Sequence, residues 1–128
     1  MRRRVHVVPQ THWDAEVFIS REETLAIGVA NLAHELRLLA EQPGTTFVLD
    51  QGCLVEPVWE RHPELREPIR RFLREGRLEI AGAAWTMPDV NIPCGESFIR
   101  NVRRGRRFFR TALDLESPHG WQIDAFGH

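Results

Sequence analysis

The sequence has no lysine and no tyrosine; all 17 of its basic residues are arginine. We read that absence as a coding bias, since physical chemistry supplies no stronger reason for it. Cysteine is scarce: Cys53 and Cys94 stand far apart, without CxxC spacing. That excludes a disulfide framework and a cysteine-rich structural zinc site, and both residues read as small hydrophobes. No apolar run is long enough to span a bilayer. Met1-Arg2-Arg3-Arg4 resembles the basic start of a signal peptide, but the segment Val5–Val8 behind it is too short to be its apolar core and includes His6. A cytoplasmic location is therefore expected. A large excess of either charge is missing too. The formal net charge is −1, so nothing draws the whole chain to nucleic acid or membrane, and no such partner is expected.

What is present is ordinary for a folded domain. The chain has 128 residues, 42% hydrophobic and 27% charged, enough for one domain with a core. Val5-His6-Val7-Val8-Pro9 predicts a short buried strand stopped by proline. Leu25, Val29, Leu32, Leu36 and Leu39 recur at spacings of three and four, which predicts an amphipathic helix over 22–42 with Ser20 as N-cap and Pro43-Gly44 as its stop. A strand is predicted over 45–49. Helical segments follow over 54–59 and 64–75, broken at His62-Pro63 and closed by Gly76. A strand over 77–80, a loop over 81–94, a helix over 96–113 interrupted at Gly105, and a short strand over 120–123 complete the reading. Strand and helix alternate, which predicts βαβ units and a parallel sheet, hence an α/β fold. Such sheets gather ligand sites at the carboxyl ends of their strands, so the polar segments behind the predicted strands should share one rim.

Three segments carry candidate chemistry. In Thr11-His12-Trp13-Asp14, His12 and Asp14 are two residues apart and project to one side of an extended chain. An imidazole nitrogen beside a carboxylate oxygen is half of a zinc site; the plainer alternative is a capping aspartate beside a satisfied histidine. Asp124 ends an apolar run ahead of a glycine turn, where a carboxylate is held rigidly yet stays open; it could equally be a helix N-cap. Trp85-Thr86-Met87-Pro88-Asp89-Val90-Asn91 offers an aromatic face with nearby polar groups, Asp89 among them, which suits a sugar. A core tryptophan beside a turn fits that segment as well. The run Arg103-Arg104-Gly105-Arg106-Arg107 reads as a solvated helix face.

Taken in order, four pieces resemble the N-terminal catalytic domain of glycoside hydrolase family 38, the zinc-dependent retaining α-mannosidases. They are Val7-Val8-Pro9-Gln10-Thr11-His12-Trp13-Asp14, Gly76-Arg77-Leu78-Glu79-Ile80, Trp85-Thr86-Met87-Pro88-Asp89, and Gly120-Trp121-Gln122-Ile123-Asp124-Ala125-Phe126-Gly127-His128. Gly95-Glu96-Ser97-Phe98-Ile99-Arg100-Asn101 resembles a helix start of the same family. The resemblance implies part of a seven-stranded-type α/β domain over residues 1–128. It implies one zinc ion held by His12, Asp14 and Asp124, with Asp124 also the nucleophile, and an α-mannoside glycan as substrate. Trp85 and Asp89 would then contact the sugar. The sequence departs from the family at Gln10, where a histidine is usual, and near Val17, where an aromatic often follows. It also has Ala83 and Ala84 in place of glycines, and Asp50-Gln51-Gly52 where Asp-Gly-Gln is common. The family's fourth ligand, a histidine, and its acid/base carboxylate correspond to nothing in these residues, and His128 belongs to the nucleophile motif. A truncated, inactive piece of the enzyme is thus expected. Two other readings remain at this point: a metal-dependent carbohydrate deacetylase and a non-catalytic sugar-binding remnant.

Overall fold

The structure, a computed structural model, describes residues 3–14 and 17–127. Among the described residues, four helices accompany two paired strands. They run α1 (Arg21–Glu41), β1 (Phe47–Gln51), α2 (Gly52–Arg61), α3 (Arg66–Arg74), β2 (Leu78–Ala84) and α4 (Gly95–Leu113), with a 3₁₀ turn at Pro63–Leu65 between α2 and α3.

Local chemistry sets these boundaries. Ser20 caps α1 with both arms of a capping box: its hydroxyl accepts from the Glu23 amide at 3.3 Å, and its own amide donates to Glu23 Oε2 at 3.0 Å. The Ser20 hydroxyl also donates to Glu23 Oε2 at 2.7 Å, and that bond, followed by the one from the Ser20 amide, holds the Glu23 carboxyl below its ordinary pKa. At the far end of α1, Arg77 reaches back from the start of β2. Its guanidinium donates to Leu39 O at 2.5 Å, Gln42 O at 2.7 Å and Thr45 O at 3.2 Å, filling carbonyls that the helix end leaves open. Pro63 cannot continue α2, and its fixed φ starts the 3₁₀ turn instead. Gly76, at φ +66°, turns the chain from α3 into β2.

β1 and β2 pair in parallel, Phe47 opposite Leu78 and Leu49 opposite Ile80. Parallel neighbours need a crossover, and α2 and α3 form it, so this is the expected βαβ unit. The ladder then slips. Gln51 next pairs with Ala84, so β2 carries two extra residues across Ala81–Ala83. Gly82 and Ala83 sit in this bulge with φ of +69° and +50°. One apolar core gathers Leu32, Leu36 and Leu39 of α1, Val55 and Val58 of α2, Ile69 and Phe72 of α3, Phe109 and Leu113 of α4, and the inward residues of both strands.

Three expectations need correction. The run Val5–Val8 is not a buried strand: Val5 is 81% exposed and Val7 79%, and β1 is joined only farther along. Val48 N donates to Pro9 O at 3.0 Å, and Thr11 N donates to Val48 O at 3.1 Å. Proline 9 has no N–H to extend that ladder, and no described element covers the valines. Residues 120–123 form no strand among the described residues; the Gln122 side chain ties them to the loop after β2 instead. Finally, α4 is continuous through Gly105. A Cβ there would lie 2.3 Å from Ala83 O and 2.3 Å from Ala84 C, so this glycine admits the β2 backbone to the helix surface. Among the described residues no helix is long and apolar enough to cross a membrane.

Candidate metal centre

His12 and Asp14 emerge where residues 9–11 leave β1, at the carboxyl end of the sheet. Trp13 between them fixes the loop. Its ring packs over Gly28 of α1, where a Cβ would meet Trp13 Cζ2 at 2.9 Å and Leu54 Cδ2 at 2.9 Å. Its carbonyl accepts from Gln51 Nε2 at 3.0 Å, and the same Gln51 side chain accepts from the Met87 amide at 3.2 Å. Thr11, just before His12, donates to Asp50 Oδ1 at 3.4 Å. The last two residues of β1 thus brace the loop from below.

Asp124 arrives from the other side. Its φ of +52° lies in the left-handed region, which aspartate tolerates better than most residues. Gln122 Nε2 donates to Pro88 O at 2.6 Å, and Asn91 Nδ2 donates to Phe126 O at 2.5 Å, tying this segment to the loop that follows β2. Trp121 sits on the bulge, where a Cβ on Gly82 would lie 2.7 Å from Trp121 Cβ.

The result is a cluster of three. His12 Nε2 lies 3.4 Å from Asp14 Oδ1 and 3.3 Å from Asp124 Oδ2, and all three donor atoms fall within 4.8 Å of one another. A tetrahedral zinc with bonds of about 2.0–2.1 Å sets its donors roughly 3.3–3.4 Å apart, so the two measured edges fit that ion. One neutral imidazole and two carboxylates are also a donor set that zinc accepts. Without a cation, two carboxylates converging on one imidazole repel each other. The side chains are 31%, 47% and 52% exposed, which leaves an open side for a further ligand.

Beneath the cluster, Asp50 is 1% exposed. Burial pushes its carboxyl above the ordinary pKa, while the nearby His12 charge and hydrogen-bonding groups on Thr11, Gln51 and Trp121 act against that rise. The reasoning that singled out Asp124, a carboxylate closing an apolar strand, applies equally to Asp50 and would have found it. Gln51 and Asn101 were also missed. Asn101 clamps the post-β2 loop by accepting from Thr86 N at 2.9 Å and donating to Thr86 O at 2.9 Å; in the sequence it closes the segment 95–101 that resembles a helix start of the family, with no role given to it.

Trp85 and Asp89 are placed outside the cluster. Trp85 is half-buried against α4: Arg104 lies over its ring at 3.7 Å, and Phe108 meets it edge-on at 6.3 Å. Asp89 Oδ1 accepts from the Asn91 amide at 3.1 Å in the loop joined to the Asp124 segment. His128 lies outside the described residues. Cys53 is buried as expected, but Cys94 is exposed at the start of α4, and bonding to Ser97 lowers its thiol pKa.

Known proteins resemble this chain in sequence and in fold. The family model described as "Glycosyl hydrolases family 38 N-terminal domain" matches residues 2–128. The chain is 30% identical over 129 residues to "Alpha-mannosidase 2" of Spodoptera frugiperda, covering 99% of this chain and 11% of the relative. It is 27% identical to "Alpha-mannosidase 2C1" of Homo sapiens, covering 97% of this chain and 12% of that protein. The fold matches the crystal structure of an alpha-mannosidase from Enterococcus faecalis V583 with a TM-score of 0.74, at 24% identity, over 94% of this chain and 14% of that one. The chain therefore spans about an eighth of the length of these proteins.

Proposed function

The chain belongs to glycosyl hydrolase family 38, whose N-terminal domain matches it from residue 2 to residue 128, and from that premise we propose that it supplies the zinc ligands and the nucleophile of a retaining α-mannosidase. The observation that carries the reading is the spacing of His12 Nε2 to Asp14 Oδ1 and Asp124 Oδ2, 3.4 and 3.3 Å, on one open face. His12, Asp14 and Asp124 would hold one zinc ion. Zinc bound there supplies a Lewis acid for adjacent sugar hydroxyls, favouring an oxocarbenium-like transition state.

The protein's own part is a double displacement. Asp124 attacks the anomeric carbon with a carboxylate oxygen, the glycosidic bond breaks, and a covalent glycosyl-enzyme forms. Water then cleaves that ester with a second inversion, so configuration is retained. Asp14 serves as a zinc ligand alone and does not bond to the sugar. Protonation of the leaving oxygen needs a second carboxylic acid about 5–5.5 Å from the nucleophile, and we assign no residue of this chain to it.

A substrate with a very good leaving group does not need that proton. In a full-length version, a dinitrophenyl α-mannoside should therefore release phenolate in a zinc-dependent reaction that Asp124→Asn abolishes. The amide keeps the shape of the side chain but cannot act as an anionic nucleophile. Asp14→Asn should lose zinc and turnover together. Zinc content must be measured on each sample. An Asp124→Asn protein that holds zinc and turns over as the parent does would overturn the assignment. Release of acetate from an acetylated sugar, with no mannoside cleavage, would point to deacetylation instead.

A further inference from the structure

We propose that Asp50 is a positioning residue for the metal centre, joining the loop that carries His12 and Asp14 to the segment that carries Asp124. This rests on the zinc reading above. Asp50 sits at the carboxyl end of β1, under the cluster, and touches neither the ion nor the sugar.

Its two oxygens face two different segments. Oδ1 accepts from the hydroxyl of Thr11, the residue before His12, at 3.4 Å. Oδ2 is buried with no partner among the described residues, and so is Nε1 of Trp121, three residues before Asp124. These two orphans are complementary, one acceptor and one donor. Burial raises the pKa of Asp50, and the Trp121 N–H lies near enough to that carboxyl to act against the rise. The backbone and Cβ of Trp121 are seated against β2 at Gly82, where even a methyl group would collide with them. A small closure therefore satisfies both buried groups, as buried polar atoms require. The carboxylate then has one arm on each ligand-bearing segment. Only a carboxylate accepts on both sides; an asparagine presents one acceptor and one donor group, so it serves a single arm. A buried charge is costly, and a neutral side chain would be easier to bury. The benefit of Asp50 lies in what it holds. His12, Asp14 and Asp124 are themselves substantially exposed and need such support to stay in register with an ion.

The test compares Asp50→Asn, Thr11→Val and Trp121→Phe, with the double variants that combine Asp50→Asn with each of the others. Three quantities are measured: zinc affinity by competition with a chromophoric chelator, the melting temperature, and amide hydrogen exchange over residues 10–14 and 120–124 without metal. Asp50→Asn should weaken zinc binding about 10- to 100-fold while its melting temperature holds or rises. Thr11→Val and Trp121→Phe should each weaken binding less, and the effect of the arm that asparagine cannot serve should vanish in the Asp50→Asn background. In metal-free protein, Asp50→Asn should speed exchange in the segment whose arm it loses, Thr11→Val only in the first, and Trp121→Phe only in the second. Unchanged zinc affinity and exchange in Asp50→Asn overturns the proposal. So does a loss of affinity matched by a general fall in melting temperature. If the parent chain binds no zinc, the functional reading fails, and the metal-free exchange pattern still decides whether Asp50 couples the two segments.

Discussion

Gly105→Ala sets two physical effects of opposite sign against each other. Inside a helix, alanine is favoured over glycine by about 1 kcal/mol, so propensity alone predicts a more stable protein. Packing predicts the reverse. The new Cβ would fall 2.3 Å from Ala83 O and Ala84 C and 2.5 Å from Trp85 N. Carbon–oxygen contacts settle at about 3.3–3.6 Å, so α4 must retreat from β2 by roughly 1 Å. The atoms in the way are backbone of the bulge, not the end of a side chain that could swing aside. Retreat unseats Phe109, which is fully buried, and Leu113 beside it. It also strains the Asn101 clamp on Trp85 and Thr86. Overpacking costs about 1–3 kcal/mol where side chains can adjust, and more where they cannot. The net expectation is a loss of about 1–3 kcal/mol, roughly 4 °C of melting temperature for each. Differential scanning calorimetry measures it, with Gly95→Ala as the control: that glycine opens α4 with nothing near its missing Cβ, so its variant should melt at or slightly above the parent. A Gly105→Ala protein that melts as high as the parent would refute the close-approach argument.

Other outcomes follow from single contacts. Ser20→Ala removes the hydroxyl arm of the α1 capping box, keeps the backbone arm, and should cost about 1 kcal/mol in urea denaturation. The same change should flatten the acid side of the stability curve. The Glu23 pKa is lowered in the folded state, so its contribution is present above the unfolded pKa and is lost as pH falls through the folded one. Cys94 should react with iodoacetamide well before buried Cys53, because it is exposed and its thiol pKa is lowered by its bond to Ser97; mass spectrometry of tryptic peptides reads the order. Exposed Val5, Val7, Phe18 and Ile92 form apolar surface that invites association, so light scattering should rise with concentration, and a sharp, reversible, monomeric melt would contradict this.

Periodicity and punctuation residues determined much of this protein before any tertiary contact. The three-and-four spacing from Leu25 to Leu39 with Ser20 ahead of it located α1, because helix caps and amphipathic faces are local physics. Pro63 and Gly76 ended their helices for reasons internal to each residue. The alternation of elements was enough for a parallel pair, since parallel strands require a crossover. His12, Asp14 and Asp124 could be named as candidates from residue type and their position behind apolar runs. Their meeting was a different matter. Residues 12 and 124 come within 3.3 Å only through long-range contacts: the Trp13 ring on Gly28, the Gln122 and Asn91 bonds, and the seat of Trp121 on Gly82. Gly105 shows the same division. In the sequence it is a helix breaker, because propensity is all that a single chain segment reveals. In the folded protein it is the point of closest approach between α4 and β2, because only there does the backbone of another element occupy the space its side chain would need. Val5–Val8 went the other way. Their β-branched run favours extension locally, but burial needs a neighbouring layer, and a strand's own residues cannot supply one.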